Sequence, residues 1–174
     1  MHYADIKKID IANGEGVRVS LFVSGCRHHC KGCFNEIAWN FKYGKEFTQD
    51  TVNEIIQDLD HDYVEGLSLL GGEPLEPENQ EALAELVTKV KDKYPNKNIW
   101  CYTGFDFEKD IMPECKTSVV TKQLISNIDV IVDGKFDENK MDRKLKFRGS
   151  SNQRIIDVKE TLHDNAIKMV KFTD

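Results

Sequence analysis

The sequence predicts an α/β protein built on a mainly parallel sheet. Short β-like runs alternate with longer helical stretches along the chain. Strand candidates are repeatedly followed by helix candidates, the pattern of parallel strands joined by helical crossovers. Glycines and aspartates stop the strands, as at Gly71-Gly72, Gly104 and Asp133.

Val17–Val23 (VRVSLFV) reads as a strand that runs straight into a cysteine-rich loop. Thr48–Leu59 carries Val52, Ile55, Ile56 and Leu59 on one helical face, with Thr48 as its cap. Leu67–Leu70 is a short buried strand. Glu78–Val90 is a helix with Leu83, Leu86, Val87 and Val90 on one stripe. Asn98–Tyr102 and Val130–Val132 read as further strands, with a helix between them inside Thr117–Asn127, and Ile155–Val158 as a last strand. In such sheets ligands gather at the carboxyl ends of the strands. The segments that fall there are Cys26–Cys33, Gly71–Pro74, Thr103-Gly104 and Asp133–Lys135.

A chain of 174 residues suits one domain, residues 1–174, that buries a core without disulfides. Its 40% apolar and 31% charged residues are an ordinary globular balance. With a net charge of -6 and no segment dominated by Lys or Arg, nucleic acid is not an expected partner. No stretch has the length of a membrane span, so no membrane contact is expected. The stretch Met1–Asp10 carries charges and no apolar signal core, which makes the cytoplasm the expected compartment.

Three of the five cysteines lie within Cys26-Arg-His-His-Cys30-Lys-Gly-Cys33. So tight a group in a cytosolic chain reads as metal or redox chemistry rather than as a disulfide framework. Thiolates are soft ligands for zinc and for iron–sulfur clusters. Three of them on one short loop can hold three corners of a cubane and leave the fourth iron open. Zinc is the competing reading, with His28 or His29 as fourth ligand, but its usual spacing pairs two close ligands with two distant ones. That second pair is missing here. His28 and His29 are expected to point outward. Arg27 and Lys31 either add positive charge beside the thiolates or serve solubility.

Beyond the cysteines, C-x3-C-x2-C resembles the signature of the radical S-adenosylmethionine (SAM) superfamily. Asn13-Gly-Glu-Gly-Val-Arg18, Ser24-Gly-Cys26, Cys33-Phe-Asn35 and Trp39 resemble the activating enzymes of glycyl-radical proteins. Leu70-Gly-Gly-Glu-Pro-Leu75, Trp100-Cys-Tyr-Thr-Gly-Phe105, Asp129-Val-Ile-Val-Asp-Gly-Lys-Phe136 and Phe147-Arg-Gly-Ser-Ser-Asn-Gln-Arg154 narrow the likeness. Together they are similar to the activases of anaerobic (class III) ribonucleoside-triphosphate reductase, in matching order from about residue 10 to about residue 158.

The resemblance implies an incomplete (β/α) barrel of the radical SAM type. It implies a 4Fe–4S cluster on Cys26, Cys30 and Cys33, with SAM as the second cofactor. It also implies a 5′-deoxyadenosyl radical that takes a hydrogen atom from a backbone glycine of the large reductase subunit. A flavodoxin- or ferredoxin-type protein is the expected electron donor. One departure is Gly32, where many superfamily members carry an aromatic; here the aromatic is Phe34, so the adenine contact shifts to Gly32, Cys33 and Phe34. An activase of the pyruvate formate-lyase type is the second enzyme reading, although those chains are commonly longer. A zinc-binding adaptor is the non-enzymatic one.

The likeness puts the methionine part of SAM at Gly71, Gly72 and Glu73, where glycines let backbone approach a ligand. Glu73 can instead brace the loop. Asp133 is read either as a ribose or cation contact or as the start of an Asp-Gly turn. Thr103 is expected to face the same cavity. Arg148 and Asn152 are the candidates within Phe147–Arg154, as part of the SAM site or of a partner dock. Cys101 and Cys115 read as buried thiols. Trp39, Trp100, Phe105 and Phe136 read as core or rim packing.

Overall fold

The computed structural model describes residues 1–172. Seven strands form one open sheet in the order β3-β1-β2-β4-β5-β6-β7. They are β1 His2–Asp10, β2 Val17–Val23, β3 Lys45–Glu46, β4 Val64–Gly71, β5 Asn98–Tyr102, β6 Val130–Asp133 and β7 Arg154–Asp157. The four central strands, β2, β4, β5 and β6, run parallel. Antiparallel strands flank them: β1 and β3 on one side, β7 on the other. The sheet does not close into a full barrel.

The expected strands are present within a few residues of their predicted bounds. The last is one residue early: β7 ends at Asp157, and Val158 opens the helix α5 (Val158–Asp164). The Asp157 carboxylate caps that helix by accepting the Glu160 N–H at 2.9 Å. β1 is an addition to the sequence reading. Its surface alternates irregularly, with Tyr3 and Asp10 buried but Ile9 67% exposed, so the two-residue period that would announce a strand is lost. It is held instead by pairing with β2 in a register broken by bulges.

The helices follow the same logic. α1 (Gln49–Asp58) starts at Thr48, whose N–H donates to Thr51 Oγ1 at 3.1 Å. α2 (Pro77–Lys93) has Pro at its first turn and buries Leu83, Leu86, Val87 and Val90 completely. Beyond β5, a π-turn at Phe107–Ile111 leads into α3 (Met112–Thr117) and then α4 (Val119–Ser126), the predicted helix. α4 is capped by Ser118 and packs on α2. Among the described residues, no helix is long and apolar enough to cross a membrane.

The two sheet faces are covered differently. One carries the main core: Leu67, Leu69, Ile99, Cys101 and Ile131 lie under the helices. The other carries Trp100, Val130, Val132 and Ile155, against which Phe147, Val170 and Phe172 pack. Arg18 on β2 is fully buried there. It donates to Ser68 Oγ (2.7 Å) and to the carbonyls of Glu15 (3.0 Å) and Leu67 (2.9 Å). The Asn13–Gly16 loop before β2 is thus tied down by Arg18 and by Ser68 Oγ, which donates to Asn13 O at 2.6 Å. Because the central strands are parallel, their carboxyl ends share one edge, and four loops meet there.

Candidate metal centre

The loop that leaves β2 is pinned at its base. Gly25 N–H donates to Ala38 O at 2.7 Å and Cys26 N–H to Trp39 O at 3.2 Å. A tight turn follows, in which Cys33 N–H reaches Cys30 O at 3.1 Å. Gly32 sits in this turn with φ +74°, a left-handed conformation that favours glycine. Cys26 is buried, Cys30 and Cys33 are half-buried, and all three are free thiols.

These cysteines line one cavity of about 250 Å³. Phe34, Gly71, Gly72, Glu73 and Thr103 share it, so most of the predicted site is gathered in one place. Gly32 and Asp133 do not line it. Gly32 faces Glu138 instead: a Cβ there would lie 2.9 Å from Glu138 Oε2. Asp133 is 1% exposed, and its carboxylate is engaged by Arg154 Nε (3.0 Å), an Arg154 terminal nitrogen (2.6 Å) and the Phe107 N–H (2.9 Å). Antiparallel pairing of β6 with β7 sets Arg154 directly opposite Asp133, a partner invisible to local sequence.

At Cys26 and Cys30 the protein alone does not favour the thiolate. Burial pushes the Cys26 thiol up to about 11, although the backbone N–H groups of His28 and His29 pull it down. Burial likewise raises Cys30, and Lys135 opposes the rise. A bound cationic metal group deprotonates such thiols outright. Among the described residues, no three His, Cys, Asp or Glu side chains converge as ligands of a single ion. The two histidines that could each serve as the fourth ligand of a Cys₃His zinc site are engaged elsewhere. His28 contacts Glu73, and His29 stacks on Trp39 with ring centroids 4.3 Å apart. Three free sulfurs around a shared cavity fit a larger cluster with three protein ligands better than they fit one zinc ion.

Residues 12–156 match the family model described as a 4Fe-4S single cluster domain. The chain is 43% identical over 155 residues to the anaerobic ribonucleoside-triphosphate reductase-activating protein of Enterobacteria phage T4, covering 89% of this chain and 93% of that one. It is 43% identical to the protein of the same name from Vibrio cholerae, over 89% of this chain and 97% of the other. The Escherichia coli K12 protein of that name is 39% identical, over 88% of this chain and 96% of its own. The chain belongs to the family of anaerobic ribonucleoside-triphosphate reductase-activating proteins.

A family of activating proteins with a 4Fe–4S domain supports an iron–sulfur cluster in this chain, and the cysteine loop is the donor set that fits it. The structure corrects the expected surroundings of that loop. His28 points inward, with its side chain 9% exposed, because Glu73 lies beneath it. Arg27 and Lys31 bring little free positive charge. Arg27 pairs with Glu76 (2.6 Å) and Glu78, and Lys31 pairs with Glu138 (2.7 Å).

Glu73 is 1% exposed and braces the site from behind, the alternative that sequence left open. Its oxygens accept from Leu75 N–H (2.9 Å), Thr103 Oγ1 (2.8 Å) and Gly104 N–H (2.8 Å). Arg148 and Asn152 brace as well, donating to the carbonyls of Gln153 and Lys135, each at 2.8 Å. Their neighbours Gly149 and Gln153 are the residues of that segment that reach the cavity.

Sequence reasoning also passed over Asn35, Leu70 and Tyr102 as lining residues, included Gly134 only within the Asp133–Lys135 segment, and assigned Trp39 and Phe136 to packing only. The strand-end rule could have found Tyr102, since it is the last residue of β5, next to the Thr103-Gly104 segment already singled out. Tyr102 is the most informative of them. Its hydroxyl is buried without a hydrogen-bond partner among the described residues, and burial pushes its pKa up. A polar ligand in the cavity would supply that partner. Cys101 is fully buried in the core, as expected, whereas Cys115 is only half-buried and lines a separate cavity between α3 and α4, because its short helix buries none of its residues.

Proposed function

We propose that this chain is a single-domain, cytoplasmic radical SAM activase that generates a glycyl radical on anaerobic ribonucleoside-triphosphate reductase. The observation that carries the reading is the shared cavity: three free cysteines and the Gly71-Gly72-Glu73 strand end line the same space. The open sheet with its four-strand parallel centre is compatible with an incomplete barrel. The relatives' shared name favours the reductase over other glycyl-radical partners.

Cys26, Cys30 and Cys33 would hold the 4Fe–4S cluster, leaving one iron without a protein ligand. Such a cluster would supply one-electron reduction of the SAM sulfonium, the chemistry that would yield methionine and a 5′-deoxyadenosyl radical able to take a hydrogen atom from a backbone glycine of the reductase. The protein's part is placement and shielding. Backbone at Gly71–Glu73 receives the methionine end, and backbone at Cys33–Phe34 faces the adenine. Thr103 and the orphan Tyr102 hydroxyl offer polar contacts in the same cavity. Gly32 serves by permitting the turn before Cys33, and Asp133 by fixing the Phe107 and Arg154 segments. The electron comes from a flavodoxin- or ferredoxin-type donor.

The test is anaerobic. The protein is reconstituted with iron and sulfide, then mixed with SAM, reductant and either the reductase large subunit or pyruvate formate-lyase. The expected result is a glycine-centred doublet in the electron spin resonance spectrum with the reductase only. A colourless protein that holds one zinc ion, or a doublet only with pyruvate formate-lyase, overturns the proposal.

A further inference from the structure

One tie between the cysteine loop and the cavity wall is explained neither by the cysteines nor by the strand-end glycines. The start of the loop is tied by the backbone bonds at Gly25 and Cys26, and Arg27 N–H adds a bond to Glu76 at 2.7 Å. Its end is tied by the Cys30–Cys33 turn and the Lys31–Glu138 pair. In the middle, His28 turns inward. Its Nε2 lies 2.7 Å from Glu73 Oε2, and its ring meets that of Phe105 edge-on with centroids 4.5 Å apart.

Glu73 gathers the site around one buried carboxylate. Leu75 N–H comes from its own loop, while Thr103 Oγ1 and Gly104 N–H come from the end of β5. His28 is the member of this set that belongs to the cysteine loop. With Nε2 protonated it donates to Glu73, so the carboxylate joins the loops that follow β2, β4 and β5. A buried carboxylate is stable only while its oxygens are supplied with donors, so removing one disturbs the other contacts too.

We propose that His28 is a positioning residue: through Glu73 it holds the cysteine loop in register with the strand-end loops that receive SAM. The inference rests on the SAM reading given above. It assigns His28 no ligand role, because the nitrogen that points into the structure is engaged by Glu73. The coupling runs both ways. Loss of the bond frees the cysteine loop to shift against Gly71–Glu73, and it leaves Glu73 free to pull on Thr103 and Gly104.

Two variants separate the hydrogen bond from the ring. His28→Phe keeps a flat ring against Phe105 and removes the donor. His28→Gln keeps a nitrogen donor near the position of Nε2 and removes the ring. Wild type and both variants are reconstituted anaerobically, and three quantities are read: iron per chain, cluster reduction potential and the SAM dissociation constant by equilibrium dialysis. Wild type without iron or SAM binding defeats the functional reading itself, before His28 is at issue.

With a working wild type, His28→Phe should keep its iron, shift the reduction potential and bind SAM about tenfold more weakly, the scale of one buried hydrogen bond to a charged group. His28→Gln should restore both quantities towards wild type. Iron retained by His28→Gln but lost by His28→Phe also supports the proposal, since the cysteine loop then needs the bond to form at all. The proposal is overturned if His28→Phe matches wild type in potential and SAM affinity. It is equally overturned if His28→Gln fails as badly as His28→Phe, because the ring and not the bond would then matter.

Discussion

Arg154 closes on Asp133 with two nitrogens, at 3.0 and 2.6 Å, across the antiparallel pair that ends the sheet. The carboxylate is 2% exposed and the guanidinium 31%, so the pair is buried on the Asp side and wet on the other. Arg154→Ala leaves Asp133 with a single remaining donor, the Phe107 N–H. The expected loss is about 2–3 kcal/mol of unfolding free energy, below the full cost of orphaning a buried ion because water reaches the vacated side. Urea titration measures it. Iron content should be unchanged, since neither residue lines the cavity.

The cysteines separate cleanly by location. On the proposed reading, Ala at Cys26, Cys30 or Cys33 removes a cluster ligand and should abolish SAM cleavage and reduce iron retention. Cys101→Ser should keep the cluster, because Cys101 sits in the apolar core, where its thiol is fully buried. Its cost is one of stability, about 1–2 kcal/mol for a hydroxyl placed among apolar neighbours. Iron analysis with thermal unfolding checks both statements. Turnover retained in Cys30→Ala would contradict the ligand assignment.

Gly72 has a sharper role than ligand approach. A Cβ there would lie 2.6 Å from Gly25 O and 3.0 Å from Ala38 O, both backbone atoms at the root of the cysteine loop. Even Gly72→Ala must therefore push the end of β4 away from that root. Its expected effect is about 1–3 kcal/mol of destabilisation by overpacking, together with impaired cluster assembly. A Gly72→Ala protein of wild-type stability and iron content would show that the loop root yields freely.

Asp129 ties α2 and α5 to the sheet. It accepts from Lys91 (2.6 Å), Lys159 (2.7 Å) and Ile99 N–H (2.7 Å). Burial works to raise its pKa, but those three donors outweigh it and hold the carboxyl below its ordinary value. A carboxylate with a depressed folded pKa adds stability above its unfolded pKa, near 4, and loses it as pH falls through the folded value. Asp129→Asn should lower stability at neutral pH and flatten the acid limb of a stability–pH curve. An unchanged acid limb would remove Asp129 from the groups that drive acid unfolding.

Much of the architecture was legible because it depends on local pattern. Val17–Val23, Asn98–Tyr102 and the Leu83–Val90 stripe carry their own periodicity, and parallel strands oblige their following loops to share an edge. β1 was not legible, since a strand with Ile9 exposed and Asp10 buried shows no regular burial. The antiparallel turn of β7 was not legible either, because strand direction is decided by partners distant in the chain.

The sequence by itself determined the candidate donors, three soft sulfurs on one loop, together with glycines at a strand end and a motif order that resembles the family. Those are properties of residue type and spacing, which survive without coordinates. Tertiary structure decided which side chains face the cavity and which stand behind it. It turned His28 inward onto Glu73, withdrew Asp133 behind Arg154, and left the Tyr102 hydroxyl buried and unpartnered among the described residues. The reason is that a polar side chain commits to whatever donor or acceptor the fold brings within about 3 Å, and those partners lie 21 to 45 residues away along the chain.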